Sequence, residues 1–183
     1  MRECAHCGNP VPLRSSGPTG TYCSSRCRTA AHRKRVGGWG VVPAEMRAAR
    51  RWVNREGKVP MQVRGGHASS TCPGTWSSMG ETSPSGRGFM LGGGFACIDI
   101  DHCLDDRGRP DARAEVILGA FPGAFVEVSQ SGTGLHVFGT ADPAPGVSCG
   151  EFEFYSRDRF IAMTGKVFRR GGLVPLSVEE IVV

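Results

Sequence analysis

A strict alternation of apolar and acidic residues in Ile98-Asp99-Ile100-Asp101 restricts this part of the chain to an extended conformation. In a β-strand both isoleucines lie on one face and both aspartates on the other. The two aspartates then have Cα atoms roughly 6.5 Å apart, so both carboxylates can reach one divalent cation or a pair of cations. Oxygen ligands favour Mg²⁺ or Mn²⁺ over zinc. The alternation therefore predicts a magnesium or manganese site, although a solvated strand edge has the same pattern.

A candidate phosphate-binding segment follows at residues 129–136, which read Ser-Gln-Ser-Gly-Thr-Gly-Leu-His. Magnesium sites usually recruit the phosphates of a substrate as further ligands. Two glycines within three residues let backbone N–H groups approach an anion, and the hydroxyl groups are further donors. The candidate ligands are Ser131, Gly132, Thr133, Gly134 and, on the next strand, His136. A hairpin turn and a structural histidine are the alternatives for each piece by itself, but the combination in this order is more specific.

A third acidic strand is predicted at residues 151–155, Glu-Phe-Glu-Phe-Tyr, where both glutamates share one face. This acidic strand could complete the metal site of the two aspartates. On the neighbouring segment, the guanidinium of Arg159 could pair with a phosphate. Lys58 is either a phosphate contact or an ordinary surface lysine, and the residues by themselves favour the surface.

Four cysteines near the N-terminus have the spacing Cys-x2-Cys, a gap of fifteen residues, then Cys-x3-Cys. Two such knuckles can close tetrahedrally on one Zn²⁺ ion. The predicted ligands are Cys4, Cys7, Cys23 and Cys27. A disulfide framework is the alternative, and it is less expected because nothing marks the chain as secreted.

The N-terminal segment is also strongly basic, since residues 1–36 hold seven Arg or Lys and one acidic residue. This asymmetry indicates a basic arm for a polyanion, with a solvated basic helix as the alternative. Ser24 can cap a helix that starts beside the last cysteine pair. Its candidate DNA-binding residues are Arg28, Arg33, Lys34 and Arg35.

The length of 183 residues and the 39% hydrophobic content are typical of one domain with a small appendage. We expect a zinc finger at residues 1–36, a linker at 37–42 and a catalytic domain at 43–183. Helices are predicted at residues 43–55 and 110–120, strands at 125–129 and 135–139, and a hairpin that pairs 89–91 with 95–101. No apolar run has membrane-spanning length and no signal peptide is evident, so we expect a soluble, cytoplasmic protein.

Several segments occur in an order that is similar to one known family. They are Trp52 with residues 57–60, Ala68-Ser69 with Thr75-Trp76, Gly88-Phe89, residues 98–101, Glu127 with residues 131–136, and residues 153–155 with Arg159 and Thr164-Gly165. In this order they resemble the bifunctional primase-polymerase domain of phages and plasmids, in the archaeo-eukaryotic primase superfamily. The cysteine-rich segment before them resembles the small four-cysteine fingers of many bacterial proteins.

The resemblance implies an α+β fold with an RRM-like catalytic core, in which a mixed or antiparallel sheet is flanked by helices. It implies a DNA primase or DNA polymerase of phage or plasmid replication that transfers a nucleotide to a 3′-hydroxyl with two metal ions. By this likeness Asp99, Asp101 and Glu153 hold the metals, whereas His136, the glycine turn, Arg159 and Lys58 hold the triphosphate. The implied partners are single-stranded DNA template, dNTPs or NTPs, and a separate replicative helicase.

Other functions fit part of the pattern. A non-catalytic zinc-finger protein, built on a degenerate primase domain, would bind or regulate DNA through the basic arm. A glycosyltransferase would use the two aspartates with Mn²⁺ and a nucleotide sugar, but it leaves the finger and the glycine turn unexplained. A rolling-circle nickase would want clustered histidines and a tyrosine nucleophile, and His136 stands alone on its strand.

Overall fold

The computed structural model of the protein describes residues 2–12, 20–29, 39–150 and 152–179. Among the described residues, the helices are α1 (Ala44–Ala48) and α2 (Ala112–Ala120), a short helical segment at residues 25–29, and 3-10 helices at Trp39–Val41, Pro73–Thr75 and Met79–Glu81. The strands are β1 (Trp52–Glu56), β2 (Val59–Met61), β3 (Arg87–Met90), β4 (Phe95–Ile100), β5 (Phe125–Val128), β6 (Leu135–Thr140), β7 (Val147–Cys149), β8 (Phe152–Tyr155), β9 (Phe160–Ile161), β10 (Val167–Arg169) and β11 (Val174–Pro175).

The strands form two sheets. The larger sheet has the order β10-β5-β6-β4-β8-β7, and β11 pairs with the end of β6. The smaller sheet has the order β2-β1-β3-β9. The ladders are antiparallel apart from the short parallel pair of β11 with β6. The predicted α+β class is therefore confirmed, with mostly antiparallel sheets and few helices.

Helix α2 covers one face of the larger sheet, as the sequence predicts. Asp111 caps its N-terminus by accepting a hydrogen bond from the Ala114 N–H at 2.8 Å. Ala114, Ile117 and Leu118 are buried on the apolar face of the helix. They belong to the same cluster as the isoleucines of β4, Ile98 and Ile100. The apolar half of the alternation in β4 is thus the floor of this core.

The opposite face of the larger sheet is divided into an apolar half and a polar half. Its apolar half, which includes Cys97, Phe125 and Phe138, packs against Trp52 and Phe89 of the smaller sheet. The rings of Trp52 and Phe89 meet edge to face, with centroids 5.1 Å apart. The polar half is left uncovered by this packing, and it carries Asp99 in the middle strand β4.

The helix predicted at residues 43–55 is present only at Ala44–Ala48, and the prediction is wrong for the residues after it. Helix α1 ends at Ala48, Ala49 is extended, and Trp52 and Val53 lie in strand β1. Both of these side chains are fully buried because β1 is covered on its two faces: Trp52 faces the larger sheet, and Val53 packs beneath Trp76. A strand that is buried on both faces has no alternation, and its apolar positions can match a helical spacing by chance.

The predicted hairpin between residues 89–91 and 95–101 is also wrong, because β3 and β4 belong to different sheets. β3 pairs with β1 and β9, and β4 pairs with β6 and β8. Gly92, Gly93 and Gly94 have φ angles of 116°, 63° and 93°, which side chains rarely tolerate. These three residues turn the chain out of one sheet and into the other.

Trp39 and Val42 lie in the segment predicted to be a linker, yet they are 5% and 1% exposed. Both pack in the core between the two sheets, and the indole N–H of Trp39 donates to the Pro84 carbonyl at 3.2 Å. The division of the chain into a finger and a catalytic domain stays a prediction. Within the ranges described, no helix has the length and apolar character needed to cross a membrane.

Candidate active site

A row of ionisable side chains crosses four neighbouring strands of the larger sheet. Glu127 of β5 is paired with His136 of β6, His136 with Asp99 of β4, and Asp99 with Glu153 of β8. Residues paired directly across antiparallel strands point to the same face, with Cβ atoms about 4.5–5.5 Å apart. The register therefore brings three carboxylates and an imidazole together on the polar half of the sheet. Asp101, two residues after Asp99, follows at the end of the strand.

A cavity of about 500 Å³ opens beside this row, where the smaller sheet ends. Phe160 and Ile161 of β9 form part of its wall. Six of the residues proposed from the sequence line it, namely Lys58, Asp99, Asp101, Ser131, His136 and Arg159. Residues far apart in sequence thus meet around one space large enough for a small polar ligand.

Asp99 carries the most unusual carboxylate of the row. Its Oδ1 atom is buried and accepts no hydrogen bond, and the nearest cation is His136, whose Nε2 lies 3.6 Å away. Burial raises the pKa of Asp99, and the charges of Asp101 and Glu153 act in the same direction, against the effect of His136. A buried carboxylate oxygen without a donor fits a site for a cation, because a metal ion would supply the missing partner.

His136 is buried between two carboxylates. Its Nδ1 lies 3.1 Å from Oε1 of Glu127, and its Nε2 faces Asp99 and the cavity. Burial alone would lower the pKa of His136, but the hydrogen bond and charge of Glu127, followed by the charges of Asp99 and Asp101, raise it. The neighbouring carboxylates therefore favour the protonated form of the imidazole at the base of the cavity.

The turn between β5 and β6 brings hydroxyl groups to the same place. Ser129 N–H donates to the Gly134 carbonyl at 2.8 Å, which closes the turn, and the Ser131 hydroxyl lies 3.0 Å from that of Ser129 and 3.1 Å from that of Thr133. A Cβ on Gly134 would come within 2.7 Å of the Ile100 carbonyl oxygen. The turn can therefore lie directly against the end of β4 only because residue 134 is glycine.

The lining residues of this turn differ partly from the predicted set. Ser131 lines the cavity together with Ser129 and Gln130. The other predicted ligands of the turn, Gly132, Thr133 and Gly134, are not among the lining residues. The Thr133 hydroxyl instead lies 3.5 Å from Nδ1 of His102.

Arg159 connects the cavity to the acidic row. Its Nη2 lies 3.5 Å from Oε2 of Glu153, and its guanidinium stacks 4.2 Å above the ring of Tyr155. Burial and the neighbouring Glu153 raise the pKa of Tyr155 to about 12, so its ring stays neutral beneath the cation. Glu153 does not line the cavity itself, and it meets Asp99 only through the strand register.

Lys58 lies in the turn between β1 and β2 and reaches the cavity from the smaller sheet. Its side chain is exposed, as the residues alone favour, and it also lines the cavity. Periodicity cannot find such a contact, because the turn has no periodic pattern and approaches the larger sheet only after both sheets have packed.

Three further residues of the site had no role assigned from the sequence. His102 and Asp158 line the cavity, each with a positive φ, of 50° and 54°. Glu127 is completely buried in the middle of β5. A single carboxylate in the otherwise apolar Phe125-Val126-Glu127-Val128 is the signal that could have identified it, since a buried charge requires specific partners.

The four predicted zinc ligands lie together at a second site. Their sulfur atoms are within 4.8 Å of one another, and Cys7, Cys23 and Cys27 have Sγ–Sγ distances of 3.5–3.6 Å. A tetrahedron of thiolates around Zn²⁺ has sulfur atoms about 3.8 Å apart. The Ser24 hydroxyl accepts a hydrogen bond from the Cys27 N–H at 3.1 Å, which confirms the predicted helix cap.

The ionisation of these thiols supports a metal-binding role. Backbone N–H groups, above all that of Cys23, lower the pKa of Cys4 to about 6, whereas the sulfurs of Cys27 and Cys7 raise the pKa of Cys23 to about 12. Four crowded thiols cannot all ionise without a cation among them. Four clustered sulfur donors therefore fit a soft or borderline metal ion such as zinc. Arg28 follows on the short helix at residues 25–29, and Arg33, Lys34 and Arg35 lie outside the described residues.

No family model matches this chain, whereas a known phage protein is similar to it in sequence. The relative is a protein of Nitratiruptor phage NrS-1 named DNA primase-polymerase, which is 30% identical over a region that covers 62% of this chain. The same region covers 18% of the relative. The chain therefore has a distant phage homologue, and it spans under a fifth of the length of that protein.

Proposed function

We propose that this protein is a DNA-dependent nucleotidyltransferase, a primase or DNA polymerase of phage or plasmid replication with an RRM-like catalytic core. It adds a nucleotide to a 3′-hydroxyl on a single-stranded DNA template and releases pyrophosphate. The observation that carries the proposal is the row of Glu127, His136, Asp99 and Glu153 in register beside a polar cavity. The distant relative named DNA primase-polymerase supports the same function.

Asp99, Asp101 and Glu153 would hold two Mg²⁺ or Mn²⁺ ions. The donor set consists of hard carboxylate oxygens, and the unpartnered Oδ1 of Asp99 is the atom most in need of a cation. Bound metal ions would reduce the charge on the α-phosphate, activate the attacking hydroxyl and stabilise the leaving pyrophosphate. The carboxylates themselves orient on one face because β4 and β8 are in register.

The triphosphate of the incoming nucleotide would lie along the cationic side of the cavity. His136 directs Nε2 at the triphosphate, Ser131 donates a hydroxyl hydrogen bond, and Arg159 and Lys58 neutralise negative charge, since all four side chains line the cavity. Gly132, Thr133 and Gly134 shape the turn that carries Ser131. A triphosphate needs several cations, and guanidinium and ammonium groups next to carboxylate-bound metals supply them.

A primer-extension assay tests the proposal directly. Wild type, Asp99→Ala/Asp101→Ala and the matched control Asp142→Ala are compared on a labelled primer with dNTPs and either metal, beside an unprimed template. Asp142 is exposed and does not line the cavity of the candidate active site, so its variant should retain extension. We expect extension to fall at least 100-fold in the double variant, as is usual on loss of electrostatic stabilisation of a transition state. Product on the unprimed template would add primase activity, and NTPs in parallel would give the sugar preference.

The alternative functions predict other outcomes of the same experiment. A wild type that binds DNA but incorporates no nucleotide with either metal would support the non-catalytic DNA-binding reading. In that case DNA affinity should be indifferent to Asp99→Ala. Turnover of a nucleotide sugar without DNA would instead favour a glycosyltransferase.

We further propose that Cys4, Cys7, Cys23 and Cys27 bind a structural Zn²⁺ ion and that the basic helix after them holds the template strand. Changing Arg28, Arg33 and Arg35 to Ala should weaken binding to single-stranded DNA and flatten its dependence on salt, because phosphate contacts release counterions. Fluorescence anisotropy at several salt concentrations measures both quantities. An unchanged affinity for single-stranded DNA would mean that the basic segment of the finger does not contact the template. A separate replicative helicase is the partner that this reading implies.

A further inference from the structure

Glu127 is a buried carboxylate that neither metal binding nor phosphate binding uses directly. It is 0% exposed and lies in β5, next to His136 in the acidic row. A carboxylate in this position is stable only if its oxygens accept several hydrogen bonds. Its function therefore depends on which groups donate to it.

Among the described residues, His136 and the backbone of residues 164–165 provide the hydrogen bonds to Glu127. Oε1 accepts from His136 Nδ1 at 3.1 Å and from Thr164 N–H at 3.2 Å. Oε2 accepts from Thr164 N–H at 3.2 Å and from Gly165 N–H at 3.0 Å. The backbone of residues 164–165 thus holds the carboxylate still, and the carboxylate holds the imidazole.

This arrangement decides how His136 faces the cavity. An ionised carboxylate can only accept, so the proton of the shared hydrogen bond lies on Nδ1. This hydrogen bond fixes the orientation of the imidazole ring, so that Nε2 faces Asp99 and the cavity.

We propose that Glu127 is a positioning residue, which fixes the ring of His136 through Nδ1 so that Nε2 is directed at the triphosphate of the bound nucleotide. This inference rests on the proposed function, because it takes the ligand of the cavity to be a nucleoside triphosphate. It assigns Glu127 no contact with substrate or metal. It also explains why a charged residue occupies the centre of a strand whose neighbours are apolar.

A double-mutant cycle on dATP binding tests the proposal. The affinity for dATP with Mn²⁺ is measured by calorimetry for wild type, Glu127→Gln, His136→Gln and the double variant. Loss of a charge-assisted hydrogen bond should weaken binding about 10-fold or more in His136→Gln. Glu127→Gln should weaken it to a similar degree, and the double variant should bind no more weakly than His136→Gln alone. Losses that multiply in the double variant would overturn the positioning role.

Thr164→Val is the matched control for a loosened loop. It removes the hydrogen bond from the Thr164 hydroxyl to the Val128 carbonyl at 2.6 Å without touching His136. If Glu127 acted only by holding residues 164–165, then Thr164→Val would reproduce its effect on dATP. We expect the Thr164→Val protein to unfold at a lower temperature than wild type. In this background His136→Gln should weaken dATP binding by the same factor as it does in wild type.

A spectroscopic measurement on the wild type covers the case in which Glu127→Gln fails to fold. In ¹⁵N spectra of the imidazole groups, with the His136 signals assigned from His136→Gln, Nδ1 should carry a slowly exchanging proton. An unprotonated Nδ1 would contradict the inference. If the wild type binds no dATP, or if His136→Gln binds as well as wild type, the proposed function falls first. If His136→Gln weakens dATP binding but the losses of the two single variants multiply in the double variant, the positioning role of Glu127 is wrong and the proposed function stands.

Discussion

The Oδ1 atom of Asp99 is buried without a hydrogen-bond donor, beside two further carboxylates on the same sheet face. A group of this kind destabilises the folded state unless a ligand compensates it. The same residue is the centre of the proposed metal site. The stability of the metal-free protein therefore favours an uncharged residue at position 99, whereas the proposed metal site requires the carboxylate.

Asp99→Asn should consequently stabilise the metal-free protein, by about 1 kcal/mol at pH 7.5 in EDTA. Because burial raises the pKa of Asp99, folding favours its protonated form. That contribution is fully present below the unfolded pKa and is lost as the pH rises through the folded pKa. The advantage of the amide should therefore shrink as the pH falls towards 4. Urea unfolding at several pH values measures it, and Asp142→Asn is the exposed control. A less stable Asp99→Asn protein at pH 7.5 would contradict this account.

The turn between β5 and β6 determines the site at the scale of an element. It closes against the end of β4, where a Cβ at residue 134 would lie 2.7 Å from the Ile100 carbonyl oxygen and 2.9 Å from the Ser129 hydroxyl. The position of Ser131 beside Asp101 thus depends on the contact between a turn and a strand.

Gly134→Ala should destabilise the protein by about 1–3 kcal/mol and weaken dATP binding, because the turn must move away from β4. Gly119→Ala is the matched control, since nothing lies within 4 Å of a Cβ at this exposed position of α2. In the control the lower backbone entropy of alanine should stabilise the helix by about 0.5–1 kcal/mol. Thermal unfolding and dATP calorimetry on both variants distinguish the two. Equal dATP affinity in Gly134→Ala and wild type would separate the turn from the site.

Elements with a one-sided environment were predictable from the sequence. β4 and β8 alternate because one face meets the core and the other faces the cavity, and α2 shows its buried stripe together with its Asp111 cap. Neither the strand at Trp52 nor the change of sheet at residues 92–94 was predictable, because both depend on how the smaller sheet packs on the larger one. Lys58 was assigned to the triphosphate by resemblance and not by periodicity, because its turn has no periodic pattern. Glu127 received no role, because the N–H groups of Thr164 and Gly165 that donate to it lie far away in sequence.

At the scale of the whole molecule, the cysteine cluster and the two-sheet domain have separate sources of stability. The cluster brings together four thiols that could hold a metal ion, whereas the sheets enclose the large apolar clusters. The three tryptophans of the chain, Trp39, Trp52 and Trp76, all lie in the two-sheet domain. Tryptophan fluorescence therefore reports on that domain alone.

Removal of zinc should unfold the finger and leave the tryptophan signal unchanged. Metal analysis should find one zinc per chain in the wild type and none in Cys7→Ser/Cys27→Ser, because the loss of two thiolates opens the tetrahedral site. Both the variant and the chelated wild type should keep the wild-type unfolding midpoint by tryptophan emission, while single-stranded DNA affinity falls. A midpoint that moves with zinc would mean that the finger and the sheets fold as one unit.

The chain passes between the two sheets at adjacent places. Residues 92–94 lead from β3 to β4, and residues 156–159 lead back from β8 to β9, with Leu91 N–H donating to the Arg159 carbonyl at 2.8 Å. A third crossing, residues 162–166 between β9 and β10, holds the Glu127 carboxylate through the N–H groups of Thr164 and Gly165. The smaller sheet is therefore tied to the larger one at three places around the cavity. Any displacement of the cavity wall at Phe160 and Ile161 would be transmitted to Glu127, so the aperture and the row of charges are mechanically coupled in this fold.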